Sequence, residues 1–150
     1  MNKIDFFKLQ AKNLHKDFKT QKSVFDAIIN KNLYEYSPKY FNVGQIIIDY
    51  ELDEDKAFFS LMKVQHIFAT IILGFKSWSD LINAPEIELE LAKALFDNQH
   101  KISLDEWGMY IARLENENEI SLGAEEKLEI FKKVFADVVG HCSTSLSYKL

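Results

Sequence analysis

The sequence predicts an all-α, mainly helical fold, a single-domain bundle of about six or seven helices around one central apolar helix. Three observations favour it. In four stretches, apolar residues recur at three- and four-residue steps, the spacing that places side chains on one helix face. Only five of the 150 residues are Gly and two are Pro, fewer than a loop-rich or many-stranded fold carries. Several stretches also begin with helix-capping residues.

Length and composition indicate one packed domain spanning residues 1–150. The chain is 47% apolar and 13% aromatic, which is typical of a globular core and not of a disordered chain. The single cysteine, Cys142, cannot form an internal disulfide and suits a reducing compartment. The sequence shows neither a signal peptide nor an apolar run long enough to span a bilayer. We therefore expect a cytoplasmic protein with no membrane partner.

The first predicted helix covers residues 3–19. Its apolar stripe consists of Ile4, Phe7, Ala11, Leu14 and Phe18. The opposite side carries a lysine ridge, formed by Lys8, Lys12, Lys16 and Lys19. Residues 1–24 hold six lysines against two aspartates, a net +4, whereas the remaining residues hold 12 basic and 21 acidic side chains, a net −9. This acidic bulk argues against a nucleic-acid partner, and the ridge would support only weak, phosphate-based binding.

Residues 23–52 give the least regular signals. Val24, Phe25, Ile28 and Ile29 predict a short helix over residues 23–31. Residues 43–48 are β-branched enough for a strand, but Asn42 can cap a helix there. We favour a helical or irregular segment, with a minor β hairpin near residues 33–52 as the alternative. The aromatic residues of this stretch form a candidate interaction surface, because aromatic side chains are favoured at interface cores; its tyrosines are Tyr34, Tyr36 and Tyr40.

The central helix is predicted over residues 58–73, the most apolar part of the chain. Only a narrow strip on this helix is polar, formed by Lys63, His66 and Thr70. A helix this apolar is typically surrounded by other elements. The strip is a candidate small-molecule or catalytic pocket, although a histidine in such a place more often has a packing role.

A sharp corner is predicted after the central helix. Gly74 suits the left-handed position that ends a helix. Ser77 can cap the next helix, and Asp80 can complete the capping box. Phe75 and Trp78 are expected to be mostly buried in this corner. The corner resembles a helix-turn-helix in outline, but its second helix lacks the basic and amide side chains that read DNA.

Three more helical stretches follow. The first spans residues 85–98, with a predicted buried stripe of Ile87, Leu91, Ala94 and Leu95. Ser103 and Glu106 form a capping box that opens the second, whose inward residues are Leu104, Trp107, Ile111 and Leu114. Residues 115–119 are expected to be a surface connection. The last helix should run over residues 121–140 with inward Leu128, Phe131, Phe135 and Val138, before a loosely held tail at residues 141–150.

The motifs give no catalytic residues, no metal ligand set and no cofactor site. The stretch from Asp97 to Glu106 has the rhythm of an EF-hand, but it is ten residues long and lacks the central Gly, where the calcium loop needs twelve. The four histidines are scattered, without metal-binding spacing. The helix–helix loop with its capping box is the simpler interpretation.

Three short segments resemble a known helical module. They are residues 8–14 (KLQAKNL), 65–69 (QHIFA) and 74–81 (GFKSWSDL). The module is similar to the one that precedes the glyoxalase/bleomycin-resistance-like domain in some bacterial proteins and that also occurs in stand-alone uncharacterised ones. The match covers about the first half of the chain, with residues 23–55 inserted. The resemblance implies a bacterial or mobile-element setting, and it brings no catalytic domain, metal ligand or functional residue.

The expected function is therefore a non-catalytic interaction or regulatory protein of a bacterial cytoplasm that binds another protein. The alternative is a small-molecule binder or enzyme with a pocket near His66. The partner's identity and the oligomeric state are left open by the sequence.

Overall fold

The computed structural model describes residues 1–136 and 147–150. Within these ranges the chain forms seven α-helices and one two-stranded antiparallel sheet, which confirms a mainly α fold with a minor hairpin. The residues group into two compact units, one of Met1–Phe68 with Tyr148–Leu150 and one within Ala69–Ser147. The single domain of residues 1–150 stays a prediction. In the described ranges, none of the helices combines the length and apolarity needed to cross a bilayer.

The first unit contains three α-helices, the sheet and a short 3₁₀ helix. The elements are α1 (Lys3–Phe18), β1 (Lys22–Asp26), β2 (Lys31–Glu35), α2 (Val43–Tyr50), the 3₁₀ helix Lys56–Phe59 and α3 (Leu61–Ile67).

Helix α1 is capped by Asn2, whose side chain accepts a hydrogen bond from the Asp5 N–H at 2.8 Å. Its predicted apolar stripe is buried except at Ile4, which is half-buried. The Phe18 ring stacks on Phe59 at 4.3 Å between centroids, and the Phe7 ring lies 6.2 Å from Phe68. The core of this unit therefore lies between α1 and the segment that begins at the 3₁₀ helix.

The predicted helix over residues 23–31 is wrong, since these residues form β1, a turn and the start of β2. The hairpin therefore lies closer to the N-terminus than the predicted region of residues 33–52. Of the helical and irregular alternatives for residues 43–48, the structure has the helix, α2, and the Asn42 side chain accepts from the Gln45 N–H at 3.2 Å. This segment could therefore be recognised from its cap.

The predicted central helix is observed as the 3₁₀ helix, α3 and a π-helical turn at Phe68–Ile72. Its buried residues include Val64, Ile67, Phe68, Ala69 and Ile72. Leu61 and Met62 are exposed. The prediction of an apolar surface covered on nearly all sides is therefore wrong at the start of this helix.

The described part of the second unit contains four α-helices, the last of which continues into a π-helical turn. They are α4 (Trp78–Ile82), α5 (Glu86–Asp97), α6 (Leu104–Asn118), α7 (Ala124–Phe131) and the turn Lys132–Ala136. The Ser103–Glu106 capping box that opens α6 is confirmed, with both hydrogen bonds present. The core cluster of this unit comprises Ile102, Trp107, Ile111, Phe131 and Phe135.

Helix α5 turns a different face to the core from the predicted one. Leu89, Ala92 and Phe96 are buried, whereas the predicted stripe of Ile87, Leu91, Ala94 and Leu95 is half-buried. Three residues of that stripe pack against the edge of the core cluster, namely Leu91, Ala94 and Leu95. The helix is apolar on more than one side, so periodicity alone could not choose the more buried face.

The two helices that follow α5 have different ends from those predicted. Residues 115–118 are the last turn of α6, which ends at Glu119 in the left-handed conformation, so the predicted surface connection is wrong. Helix α7 begins at Ala124 after the cap Gly123 and not at Ser121. Of its predicted inward residues, Leu128, Phe131 and Phe135 are buried. Val138 and Gly140 lie outside the described residues, as do residues 141–146 of the predicted tail.

The corner after the π-helical turn contains the predicted glycine and cap. Gly74 has φ of +78°, and a Cβ there would lie 2.9 Å from Leu104 Cδ2. The Ser77 hydroxyl accepts from the Asp80 N–H at 3.1 Å. Phe75 and Trp78, expected to be mostly buried, are half-buried. Because α4 has only five residues and buries one, Leu81, it leaves both rings partly open to solvent.

Candidate interaction surface

Residues 22–35 form a β hairpin because the chain between its strands makes a local turn. The Asp26 carboxylate accepts hydrogen bonds from the Ile28 and Ile29 N–H groups at 2.9 and 3.4 Å. Asn30 adopts a positive φ of 54°, a conformation that Asn tolerates better than most residues. Such bonds between a short polar side chain and its own backbone compete with helix formation. They explain why apolar residues with helical spacing form two strands.

The register of the hairpin pairs opposite charges at both of its ends. Lys22 faces Glu35, and Asp26 faces Lys31. Val24 faces Leu33 between them. Opposite charges and apolar pairs directly across a sheet are each favourable, so the sequence supports this register. Strands and turn together carry no net charge, with two lysines and two acidic residues.

Most of the apolar side chains of the hairpin lie in solvent. Those with substantial exposure are Val24, Phe25, Ile28, Ile29, Leu33 and Tyr34. The Phe25 side chain is 60% exposed and Ile28, in the turn, is 95% exposed. Turns are usually built from Gly, Pro, Asn, Asp and Ser, whereas this turn presents two isoleucines. Six exposed apolar side chains thus lie within one short hairpin, on both of its faces and in its turn. Such a concentration of exposed apolar surface is typical of binding sites.

The base of the hairpin is held in place by a polar network. The Gln21 amide donates to the Tyr36 hydroxyl at 3.0 Å and to the Glu54 carbonyl at 2.7 Å. The Tyr36 hydroxyl in turn donates to the Glu54 carboxylate at 3.1 Å. Burial, together with the neighbouring Glu54 carboxylate, raises the pKa of Tyr36 to about 12. The residues that precede and follow the hairpin are therefore hydrogen-bonded to each other and to Glu54.

The chain that follows the hairpin is held more firmly still. The carboxylate of Asp17, which is 2% exposed, accepts from the N–H groups of Lys39, Tyr40 and Phe41 at 2.8–2.9 Å. The Thr20 hydroxyl accepts from the Ser37 N–H at 2.9 Å. Asp17 lies in the last turn of α1 and Thr20 lies two residues beyond it, so the end of this helix fixes the chain that follows the hairpin.

A cleft of about 610 Å³ lies beside the base of the hairpin. It is lined by Gln21, Ser23, Tyr34, Asp53, Glu54, Asp55 and Lys56. Two of its carboxylates serve the local backbone, as Asp53 accepts from the Asp55 N–H and Asp55 accepts from the Ala57 N–H. No cluster of three or more metal-ligating side chains occurs among the residues that the structure describes. The cleft is acidic and polar, and it adjoins one face of the hairpin.

The three tyrosines of the predicted interaction surface lie in different environments. Tyr34 is exposed on β2, at 41%, and Tyr40 is also exposed. Tyr36 is half-buried in the network at the hairpin base. The lysine ridge of α1, formed by Lys8, Lys12, Lys16 and Lys19, is exposed. Tyr34 therefore belongs to the exposed surface of the hairpin, whereas Tyr36 is hydrogen-bonded to Gln21 and Glu54 at the base of the hairpin.

The residues of the candidate pocket on the central helix are placed as follows. His66 is exposed, and Lys63 and Thr70 are half-buried. The Lys63 ammonium lies 4.8 Å from the centre of the Phe58 ring, a cation–π distance. The cleft described above is lined by other residues, and a pocket near His66 stays a prediction.

Sequence reasoning missed two features of this surface. The spacing of the apolar residues in β1 and the turn predicts a helix, and Asp17 enters the sequence analysis only as a charge. A signal for the hairpin exists, since Val24–Phe25 and Leu33–Tyr34 flank a stretch that has Asp26 and Asn30 at its ends. Two β-prone pairs around a short loop with such residues are typical of a hairpin. Asp17 gives no comparable local signal.

Comparison of the chain with protein-family models, curated proteins and solved structures found no match.

Proposed function

We propose that the protein is a non-catalytic interaction protein of a bacterial cytoplasm, and that it binds another protein through the hairpin. The observation that carries the proposal is the apolar surface of residues 22–35, in which Phe25 and Ile28 are largely exposed. Binding would remove this surface from water, and each Å² of apolar area buried contributes roughly 25 cal/mol.

The anchored base of the hairpin supports the proposal. A surface that is held in one conformation loses less conformational entropy on binding than a flexible one. Here Gln21, Tyr36 and Glu54 fix the base, and Asp17 fixes the chain that follows. The exposed residues are therefore presented on a preorganised element. The partner expected from this chemistry is a protein with an apolar pocket or groove that accepts the isoleucine tip.

A capture experiment with paired variants tests the proposal. Three proteins serve as baits: the parent chain, a hairpin variant and a control variant. The hairpin variant carries Phe25→Ser and Ile28→Ser. The matched control carries Ile48→Ser and Met62→Ser, two apolar residues that are 70% and 79% exposed outside the hairpin. Both variants should keep their stability within about 0.5 kcal/mol per substitution, because exposed positions contribute little.

The expected result is a partner captured from the source cell by the parent chain and the control, and lost with the hairpin variant. The purified partner should then bind the hairpin variant at least tenfold more weakly than the parent. Equal binding of both variants by that partner would contradict the proposal.

A further inference from the structure

The outer edge of β2 is an open strand edge in the described chain. All five of its residues are exposed, whereas β1 includes one half-buried position at Asp26. Among the described residues, β2 is hydrogen-bonded along its length to β1 and to no other strand. An open edge offers unpaired backbone N–H and C=O groups to another chain. An isolated two-stranded hairpin is also marginally stable and gains from a third strand.

The sequence of β2 is complementary to itself in the antiparallel direction. Its five residues read Lys31, Asn32, Leu33, Tyr34 and Glu35. When two copies run antiparallel with their centres aligned, each Leu33 faces its own equivalent and each Lys31 faces Glu35 of the other copy. Opposite charges directly across a sheet are favourable, and like charges are unfavourable. A single-sign edge would repel a second copy, whereas this edge attracts one.

The complementarity extends across all four strands of such a pair. In the hairpin itself, Lys22 faces Glu35 and Asp26 faces Lys31. Joining two β2 edges therefore produces rows that alternate in charge, Lys22–Glu35 followed by Lys31–Asp26 of the second copy. Between these rows, the Val24–Leu33 pair meets the same pair of the second copy. One face of the four-stranded sheet thus carries an apolar row between two charge-balanced rows.

We propose that two copies of this chain associate through their β2 strands, which pair antiparallel about Leu33 to form a symmetric four-stranded sheet. The two-fold relation is the commonest symmetry of homo-oligomers and uses the same surface on both copies. Five-residue strands paired along one edge make a small interface, and interfaces below about 1,200 Å² are typically weak and reversible. The dimer should therefore depend on protein concentration. It would present two isoleucine tips at opposite ends, which makes the binder of the preceding section bivalent.

This inference rests on the proposed function only in assigning a use to the two tips. The surfaces differ, because partner capture depends on Phe25 and Ile28 and self-association depends on the edge of β2. A chain that stays monomeric yet loses its partner through Phe25→Ser and Ile28→Ser would overturn the dimer and leave the proposed function standing. A chain that dimerises through β2 without capturing a partner would overturn the proposed function and leave the dimer standing.

A charge-swap experiment tests the pairing. Sedimentation equilibrium over a wide concentration range measures the average mass of the parent chain, of Lys31→Glu and of Glu35→Lys, each with its full sequence. In either variant alone, both ends of the β2–β2 pair bring like charges together. In an equimolar mixture, every Lys31→Glu copy can pair with a Glu35→Lys copy and restore opposite charges at both ends.

The parent is expected to approach twice the monomer mass at high concentration. Each variant alone should dimerise at least tenfold more weakly, and the mixture should regain the parent's association. The mixture also controls for folding. Within its own hairpin, Lys31→Glu places a glutamate opposite Asp26, and Glu35→Lys places a lysine opposite Lys22. Mixing the two variants cannot remove these like-charge pairs, so recovery in the mixture must come from the contact between copies. A parent that stays monomeric, or single variants that dimerise as the parent does, would overturn the proposal.

A second swap identifies the strand that pairs. Lys22→Glu and Asp26→Lys change the edge of β1 by the same logic, since Lys22 would face Asp26 in a β1–β1 pair. Dimerisation could be lost with each of these variants alone and recovered in their mixture, while the variants at residues 31 and 35 show no such pattern. That result would assign the interface to β1 and contradict pairing through β2.

Discussion

Two extended segments follow α1, and they differ in what covers them. Residues 40–42 are hydrogen-bonded on both sides, to the Asp17 carboxylate and to the backbone of Tyr148 and Leu150. Among the described residues, strand β2 is bonded along one side only, to β1. Phe41 is fully buried, while Leu33 and Tyr34 are exposed. The comparison shows that residues distant in sequence decide whether an extended apolar segment is buried or exposed. For β2, the described chain supplies hydrogen-bonding partners from β1 alone.

The largest expected loss of stability comes from removing the carboxylate that accepts hydrogen bonds from the N–H groups of residues 39–41. Asp17→Ala leaves three backbone N–H groups without their acceptor, and hydrogen bonds to a charged group contribute about 1.5–3 kcal/mol each. We expect the free energy of unfolding to fall by on the order of 3–5 kcal/mol, because Lys39 and Tyr40 can regain water in part. Urea denaturation measures it.

Asp5→Ala is the matched control for that change, since Asp5 lies on the same helix but is exposed. It should cost less than about 1 kcal/mol, the size of a favourable charge in the first turn of a helix. Similar losses in the two variants would mean that Asp17 does not hold the segment, and the contrast between the two extended segments would fail.

A smaller effect is expected at the base of the hairpin, at alkaline pH. The folded pKa of Tyr36 is raised from 10.0 to about 12 by burial and by its neighbours. Its contribution to stability is therefore fully present below pH 10 and is lost as the pH rises towards 12. Tyr36→Phe should make the free energy of unfolding fall less steeply between pH 10 and 12 than it does in the parent.

Tyr34→Phe is the control for the alkaline titration, because Tyr34 is exposed on the hairpin two residues away. It should change the slope less than Tyr36→Phe does, because Tyr34 is the smallest of the contributions to the raised pKa of Tyr36. Phenolate absorbance in the folded parent should also show a late ionisation near pH 12 that is missing from Tyr36→Phe. Tyr148, whose pKa is also raised by burial and by its hydrogen bond to Asp49, should ionise late in both proteins. If Tyr36→Phe and Tyr34→Phe gave the same slopes, the base of the hairpin would not be held by Tyr36.

The elements that sequence analysis predicted well are those whose signals lie within about four residues. Helix α1 is defined by Asn2 and its stripe, α6 by the Ser103–Glu106 box, and the corner by Gly74. Each of these contacts joins neighbours along the chain, so the local sequence contains both partners.

The features that could not be predicted depend on contacts between distant residues. The spacing of Val24, Phe25, Ile28 and Ile29 fits a helix as well as a hairpin, and pairing with residues 31–35 decides between them. Asp17 finds its donors 22–24 residues further along the chain. The bonds to Tyr40 and Asn42 come from the last residues of the sequence. Exposure of the hairpin is a property of the assembled unit, which periodicity does not contain.

Amide hydrogen exchange measured by NMR on a dilute sample tests the central claim most directly, because it compares both segments in one molecule. The N–H groups of Tyr40, Phe41 and Asn42 should be protected roughly 100-fold or more beyond the β2 amides that point away from β1. Fast exchange at alternate β2 positions beside slow exchange at residues 40–42 is the result that an open hairpin edge predicts. Equal, strong protection along all of β2 would show that the hairpin is already covered in the free chain, and would contradict its role as a binding surface.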